Sequence, residues 1–315
     1  MCIVAAVYKK NVVKRYDDEG TLKYYTHEDY PGLHAEPIEF MTPHGETLKG
    51  NFYSYDGAAE DSIVVFAHGL GGGHQAYMSE IERICRAGYR VVGYDNCGCF
   101  ASEGKNIRGL TESLGDLIAC IDWLRGQERY AGLRVSVIGH SWGGYAAANL
   151  LNYRKVHAVV AISCFVSVGV FVDAFLKGKP AFIKRGIYNF ERRANPDLVA
   201  SCAVDAVRDT DAKVLFIHSS NDDFVPSAVG LDYVRERVNN PHVEYLVVDG
   251  KYHNPNYTAD AVEYMRSTFG EYNRRVASKE LRTFEEKRDF CAGFDFARMT
   301  AQDEDVWKVI LDHIK

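Results

Sequence analysis

The sequence predicts an α/β fold: a mostly parallel sheet of about eight strands, helices on both faces and an inserted helical segment. Three observations point there. Short apolar runs rich in Val and Ile recur at 63–67, 91–94, 135–138, 158–162, 214–217 and 243–248. Each is too short for a helix and lacks polar alternation, the pattern of parallel strands buried on both faces. Amphipathic helical segments separate the runs, and a hairpin pattern precedes them.

The elements follow in order. The segments 38–41 and 48–53 flank Pro43-His44-Gly45-Glu46 and read as the hairpin. A helix over 78–87 carries Met78, Ile81, Ile84 and Cys85 on one face and stops at Gly88. The next, over 110–124, spaces Leu114, Leu117, Ile118, Ile121 and Leu124 on one side. Two similar helices are expected over 229–238 and 259–272. Between them the stretch from Cys164 to Asp211 breaks the strand–helix rhythm. It places Phe171, Val172, Phe175 and Leu176 at helical spacing, so it reads as an inserted lid and not as a long loop. The charged tail ends in an amphipathic helix through Val306, Trp307, Ile310 and Ile314 that is expected to dock on the body. The apolar N-terminus, 1–8, has its basic residues after it (Lys9, Lys10, Lys14, Arg15), the reverse of a signal peptide. It is expected to be an edge strand or a docked arm. The organisation expected is one domain over 1–315: core 36–163 and 211–275, lid 164–210, N-terminal arm 1–35 and C-terminal helical tail 276–315.

Composition narrows the partners. Hydrophobic residues make up 47% and charged residues 25%, with a formal net charge of −6, which gives no clustered basic face for nucleic acid. The apolar runs are strand-sized, far below the roughly 20 residues of a membrane span. The eight cysteines include Cys85 and Cys120 in helical patterns and Cys164 at a strand end, so buried thiols in a cytoplasmic protein are expected. There is no C-x-x-C pair, and Cys97-Gly98-Cys99 is too tight for zinc. No metal or cofactor is expected; a redox role for Cys97 and Cys99 lacks a partner that would lower a thiol pKa.

The chemistry centres on Gly139-His140-Ser141-Trp142-Gly143-Gly144, which lies between the apolar run 135–138 and the helix-forming Tyr145-Ala146-Ala147-Ala148. A G-x-S-x-G between a buried strand and a helix is the setting of a nucleophile elbow. The turn is sharp enough to strain the serine backbone, and side chains at the flanking glycines would clash. The hydroxyl then stands clear, and the following helix offers N–H groups to a developing oxyanion. Serine needs a base oriented by an acid. In this architecture the order is Ser, acid, His, and both partners follow late strands: Asp222 after 214–217 and His253 after 243–248. Asp223 competes with Asp222. His68, His140 and His218 have the simpler reading of core histidines.

With these residues in place, the chain resembles the α/β-hydrolase superfamily, near its serine-aminopeptidase, monoglyceride-lipase and cinnamoyl-esterase-like branches. The resemblance covers about residues 36–275 and is weakest across the lid. It rests on the elbow, on Asp222-Asp223-Phe224-Val225-Pro226, matching D-x-x-V-P, and on Gly250-Lys251-Tyr252-His253-Asn254. The match to D-x-x-V-P favours Asp222 over Asp223. The resemblance implies an α/β-hydrolase fold and a triad of Ser141, Asp222 and His253. It further implies an oxyanion hole from the N–H groups of Leu70, after His68-Gly69, and Trp142. The loop Asp95-Asn96-Cys97-Gly98-Cys99-Phe100-Ala101-Ser102 departs from the family pattern of Asp, a basic residue, then Gly-x-Gly-x-Ser. A competing dinucleotide fingerprint, Gly69-x-Gly71 with Asp95, has His74 at its third glycine and leaves the elbow unexplained.

The reaction expected is hydrolysis of a carboxylic ester of a small or medium acyl group, with a small-molecule acyl substrate. The alternatives are a serine peptidase acting on short peptides and a non-catalytic acyl-ligand binder with the fold retained. The lid aromatics Phe165, Phe171, Phe175, Phe182, Tyr188 and Phe190 either wall an apolar pocket or pack the lid's own helices.

Overall fold

The structure, a computed structural model, describes residues 2–315; Met1 lies outside it, as do the side chains of Cys2, Ile3 and Ala5. Eight strands form one sheet: β1 (His34–Met41), β2 (Thr47–Ser54), β3 (Ser62–Ala67), β4 (Arg90–Tyr94), β5 (Arg134–His140), β6 (Ala158–Ile162), β7 (Lys213–Ser219) and β8 (Val243–Val248). Their spatial order is β1-β2-β4-β3-β5-β6-β7-β8. The antiparallel pairings are β1 with β2 and β2 with β4; β4 through β8 run parallel.

The unbroken apolar runs follow from this layering. In β3, Ile63 and Val65 face one core while Val64 and Phe66 face the other. Side chains alternate across a strand, so a strand covered on both sides has no polar face. β8 is the exception: Val247 is 42% exposed, because β8 is an edge strand rather than one buried on both faces as its apolar run suggests.

Among the described residues, twelve helices surround the sheet: α1 (Cys2–Asn11), α2 (Met78–Arg86), α3 (Glu112–Gly126), α4 (Trp142–Leu150), α5 (Val168–Phe175), α6 (Ala181–Ala194), α7 (Ala203–Val207), α8 (Leu231–Arg235), α9 (Ala259–Ala277), α10 (Phe284–Cys291), α11 (Phe296–Met299) and α12 (Glu304–His313). α2 and α12 share one core, where Ile81, Ile84, Trp307 and Ile310 are buried against Val64, Phe66 and Ile138. α3 and α4 cover the opposite face.

Three further elements differ from the sequence expectations. The N-terminus is a helix, so of the two expectations, an edge strand or a docked arm, the edge strand does not hold. The Tyr8 hydroxyl donates to Glu191 Oε1 at 2.5 Å and the Tyr8 ring meets Phe190 edge-on, so α1 docks on α6 despite its β-branched residues. α3 starts at Glu112, because the backbone of Leu110 is used elsewhere: its N–H donates to Glu191 Oε1 at 3.0 Å and its carbonyl accepts from Trp142 Nε1 at 2.6 Å. The helix expected over 229–238 is shorter, since Gly230 (φ −126°, ψ −110°) separates a 3-10 turn at Ser227–Val229 from α8. The insert between β6 and β7 holds α5, α6 and α7. The side chain of Ser167 caps α5 by accepting from Val170 N–H.

Candidate active site

β5 ends at His140 and α4 begins at Trp142, leaving Ser141 alone in the turn at φ +55°, ψ −111°. Such a backbone costs a non-glycine residue on the order of 1–3 kcal/mol, and persists where the surroundings impose it. Here Ser141 N–H donates to the Ile162 carbonyl of β6 at 2.8 Å, and the Ser141 carbonyl accepts from Tyr145 N–H at 2.9 Å. The glycines are required by close approach. A Cβ at Gly143 would lie 2.0 Å from the Ala67 carbonyl oxygen, and one at Gly139 would lie 2.2 Å from that of Gly143.

Asp222 and His253 sit in the loops after β7 and β8. Those loops are tied together: Ser219 Oγ accepts from Lys251 N–H at 3.1 Å, and Asn221 Oδ1 accepts from Tyr252 N–H at 3.1 Å. His253 thereby stands between its two partners. Its Nδ1 is 2.8 Å from Asp222 Oδ2 and its Nε2 is 2.9 Å from Ser141 Oγ. Asp222 Oδ1 accepts from the N–H groups of Phe224 at 3.0 Å and Val225 at 2.8 Å. Burial alone would raise the pKa of this carboxyl. His218, His253 and the Val225 N–H outweigh it and hold Asp222 well below the usual carboxylate range. An ionised Asp222 fixes the proton of His253 on Nδ1, which leaves Nε2 free to accept from the serine. His218 Nε2 donates mainly to the Val225 carbonyl at 2.7 Å, with Asp222 Oδ2 farther off at 3.4 Å.

The loop after β3 packs directly on the serine: a Cβ built at Gly69 would be 3.4 Å from Ser141 Cβ. Among the described residues, the N–H groups of Leu70 and Trp142 have no acceptor. The peptide carrying the Leu70 N–H is oriented by His68, whose Nδ1 donates to the Gly69 carbonyl at 2.8 Å while its Nε2 accepts from Asn96 N–H at 2.9 Å. Burial lowers the His68 pKa, consistent with a neutral ring that donates at one nitrogen and accepts at the other. A cavity of about 320 Å³ opens beside this loop at Gly71; its lining is mostly polar, with Lys14, Arg15, Asp17, Asp18 and Glu19, and includes none of Ser141, Asp222 and His253. The exposed Phe224 ring lies 5.0 Å from the His253 ring.

The remaining sequence candidates fall elsewhere. Asp95 is buried and accepts from His74 N–H at 2.8 Å, His74 Nδ1 at 2.7 Å and Ala101 N–H at 3.1 Å, so it has no free edge for a ribose. Cys97 and Cys99 are free and buried, and burial pushes both thiols up. The unusual loop around them is held by the N-terminal arm. Tyr16 pairs with it through Gly98 and Phe100, and the Arg15 guanidinium donates to the carbonyls of Phe100, Ser102 and Gly104. Among the described residues no group of three or more His, Cys, Asp or Glu side chains is placed to hold a metal, and no helix is long and apolar enough to cross a membrane. Sequence reasoning missed Tyr77, which ends a 3-10 turn (His74–Tyr77) and touches both Gly69 and His140; nothing in its local pattern marks it.

The fold and these residues define a class. A family model described as serine aminopeptidase, S33, matches residues 58–190, a span that includes Leu70, Ser141 and Trp142 and stops before Asp222 and His253. No curated protein matches the chain. Among solved structures, the esterase Pf2001 of Pyrococcus furiosus is similar at 20% identity and a TM-score of 0.59, covering 85% of this chain and 97% of its own. DcsB, solved in complex with its substrate analogue, is similar at 16% identity and a TM-score of 0.54, covering 76% and 99%. The α/β hydrolase GrgF from Penicillium sp. sh18 follows at 14% and 0.52, covering 82% and 99%. At these identities the likeness is one of fold. The sheet order, the family-model match over residues 58–190 and these neighbours together show an α/β-hydrolase fold.

Proposed function

We propose that this chain is a serine hydrolase that cleaves the carboxylic ester of a small or medium acyl group through an acyl-enzyme intermediate. The observation that carries the reading is the unbroken contact from Asp222 through His253 to Ser141, with distances of 2.8 and 2.9 Å.

Ser141 is the nucleophile, His253 the general base and Asp222 the orienting acid. His253 Nε2 takes the hydroxyl proton as Ser141 Oγ attacks the acyl carbonyl. The resulting oxyanion is received by the N–H groups of Leu70 and Trp142, aided by the positive end of α4. Collapse of the tetrahedral intermediate breaks the bond to the alcohol, which leaves with the proton from His253. Water then attacks the acyl-enzyme by the same route, returning the proton to Ser141 and releasing the acid. Asp222 stays ionised throughout and stabilises the imidazolium. The Phe224 ring against His253 offers an apolar contact to an acyl group.

A second reading, amide hydrolysis releasing residues from short peptides, has the family-model description in its favour. A panel of p-nitrophenyl acyl esters beside aminoacyl nitroanilides separates the two. Ester turnover that falls roughly 10⁴-fold or more in Ser141→Ala is the expected result. Anilide turnover with no ester turnover would replace it with the second reading, and ligand binding without any turnover would end both.

A further inference from the structure

We infer that Tyr77 and His140 are positioning residues for this reaction, joining the oxyanion-donor loop to the loop of the catalytic base through one directed chain of hydrogen bonds. The inference rests on the functional reading above and adds two side chains that touch neither the substrate nor the reacting atoms.

The direction of every bond is set from the two ends. Gly69 N–H can only donate, and it reaches Tyr77 Oη at 3.1 Å. Tyr77 therefore places its own proton on the other side, toward His140 Nδ1 at 3.0 Å. The carbonyl of His253 can only accept, and it lies 2.8 Å from His140 Nε2. His140 thus carries its single proton on Nε2 and accepts at Nδ1, the neutral tautomer with both nitrogens used. Gly69 is fixed at both of its peptides, by Tyr77 at the N–H and by His68 at the carbonyl, so the adjoining Leu70 N–H has one direction. At the far end the chain grips the backbone of His253 itself.

The neutral state of His140 matters as much as its grip. Its ring centroid is 4.9 Å from that of His253, which becomes positive when it takes the serine proton. A second cation there would oppose that step. His140 is buried, and burial drives its pKa down to about 3. The Tyr77 proton occupies the nitrogen that would otherwise bind a further one.

The test compares Tyr77→Phe, His140→Gln and His140→Leu with the full-length wild type on one p-nitrophenyl ester. It measures kcat, KM, melting temperature and the inhibition constant of a trifluoromethyl ketone, whose tetrahedral adduct uses the oxyanion donors. Tyr77→Phe, nearly isosteric, is expected to lower kcat roughly tenfold or more, with KM within about twofold and ketone affinity falling in parallel with kcat. His140→Gln, whose amide keeps a donor and an acceptor, is expected to retain most of the activity that His140→Leu loses. Should His140→Leu not fold, the other two variants still decide. Unchanged kcat and ketone affinity in Tyr77→Phe, or a His140→Gln that keeps the wild-type melting temperature and is inactive, would overturn the relay while leaving the serine hydrolase intact. A wild type that turns over no ester and leaves Ser141 unreactive toward a fluorophosphonate would overturn the functional reading, and the relay's catalytic role with it.

Discussion

Asp222 and Asp223 are neighbours in the chain and face opposite ways. The Asp222 side chain is fully buried and meets His253 Nδ1 at 2.8 Å, whereas Asp223 is more than half exposed and pairs with the Arg266 guanidinium at 3.0 Å. The turn after β7 sends one carboxylate inward, where two backbone N–H groups receive it, and the next into solvent.

The proposed triad therefore predicts unequal effects for two chemically identical substitutions. Asp222→Asn loses the charge that fixes the His253 tautomer and should lower kcat about 10⁴-fold at neutral pH. Asp223→Asn removes only an exposed ion pair, worth about 1 kcal/mol or less, and should leave kcat/KM within about threefold. Steady-state kinetics of both variants on one ester checks this.

The elbow predicts a steric result. In Gly143→Ala the new methyl would stand 2.0 Å from the Ala67 carbonyl oxygen and 2.7 Å from that of His68, both backbone atoms that cannot swing away. The variant should lose about 3 kcal/mol of stability along with its activity. Gly126→Ala, at the end of α3 with nothing within 4 Å of the added carbon, should be neutral or stabilising by under about 1 kcal/mol. Urea unfolding of the pair gives the comparison.

Glu80 of α2 predicts a pH effect. Its carboxyl is buried beside Asn256, which donates to Oε1 at 3.3 Å, while Oε2 has no partner. Burial pushes its pKa up to about 7 from 4.5, outweighing the lowering effect of the neighbouring polar groups, Tyr257 first and then Asn256. Between those two values the folded chain holds a proton that the unfolded chain has released, so folding stability from this group falls as pH rises and is lost once pH passes the folded pKa. Glu80→Gln cannot ionise. It should match the wild type below pH 4.5 and exceed it by about 3 kcal/mol at pH 8. Denaturant melts at a series of pH values measure the difference; parallel curves for the two proteins would contradict it.

Much of this architecture is legible in the sequence because it follows from burial. Strands covered on two faces carry few polar residues, so β3 to β7 stand out as apolar runs. The elbow is legible because its glycines are sterically required and adjacent in sequence. The spacing of Asp222 from Val225-Pro226 separates it from Asp223, since the N–H groups that receive Asp222 belong to Phe224 and Val225. What escapes the sequence is set by contacts across the fold. α1 reads as a possible strand because its docking partner, Glu191, lies 183 residues away from Tyr8. Tyr77 carries no local signal, since its role is defined by Gly69 and His140 together. The apolar run of β8 looks like an interior strand until the sheet order puts it at the edge.

The most direct test of Ser141 as an activated nucleophile is peptide mapping by mass spectrometry after treatment of the folded protein with a fluorophosphonate. A single adduct on Ser141 is expected, abolished by prior unfolding and slowed by orders of magnitude in His253→Ala. An unmodified Ser141 in the folded chain, or an adduct that forms equally well without His253, would contradict the mechanism.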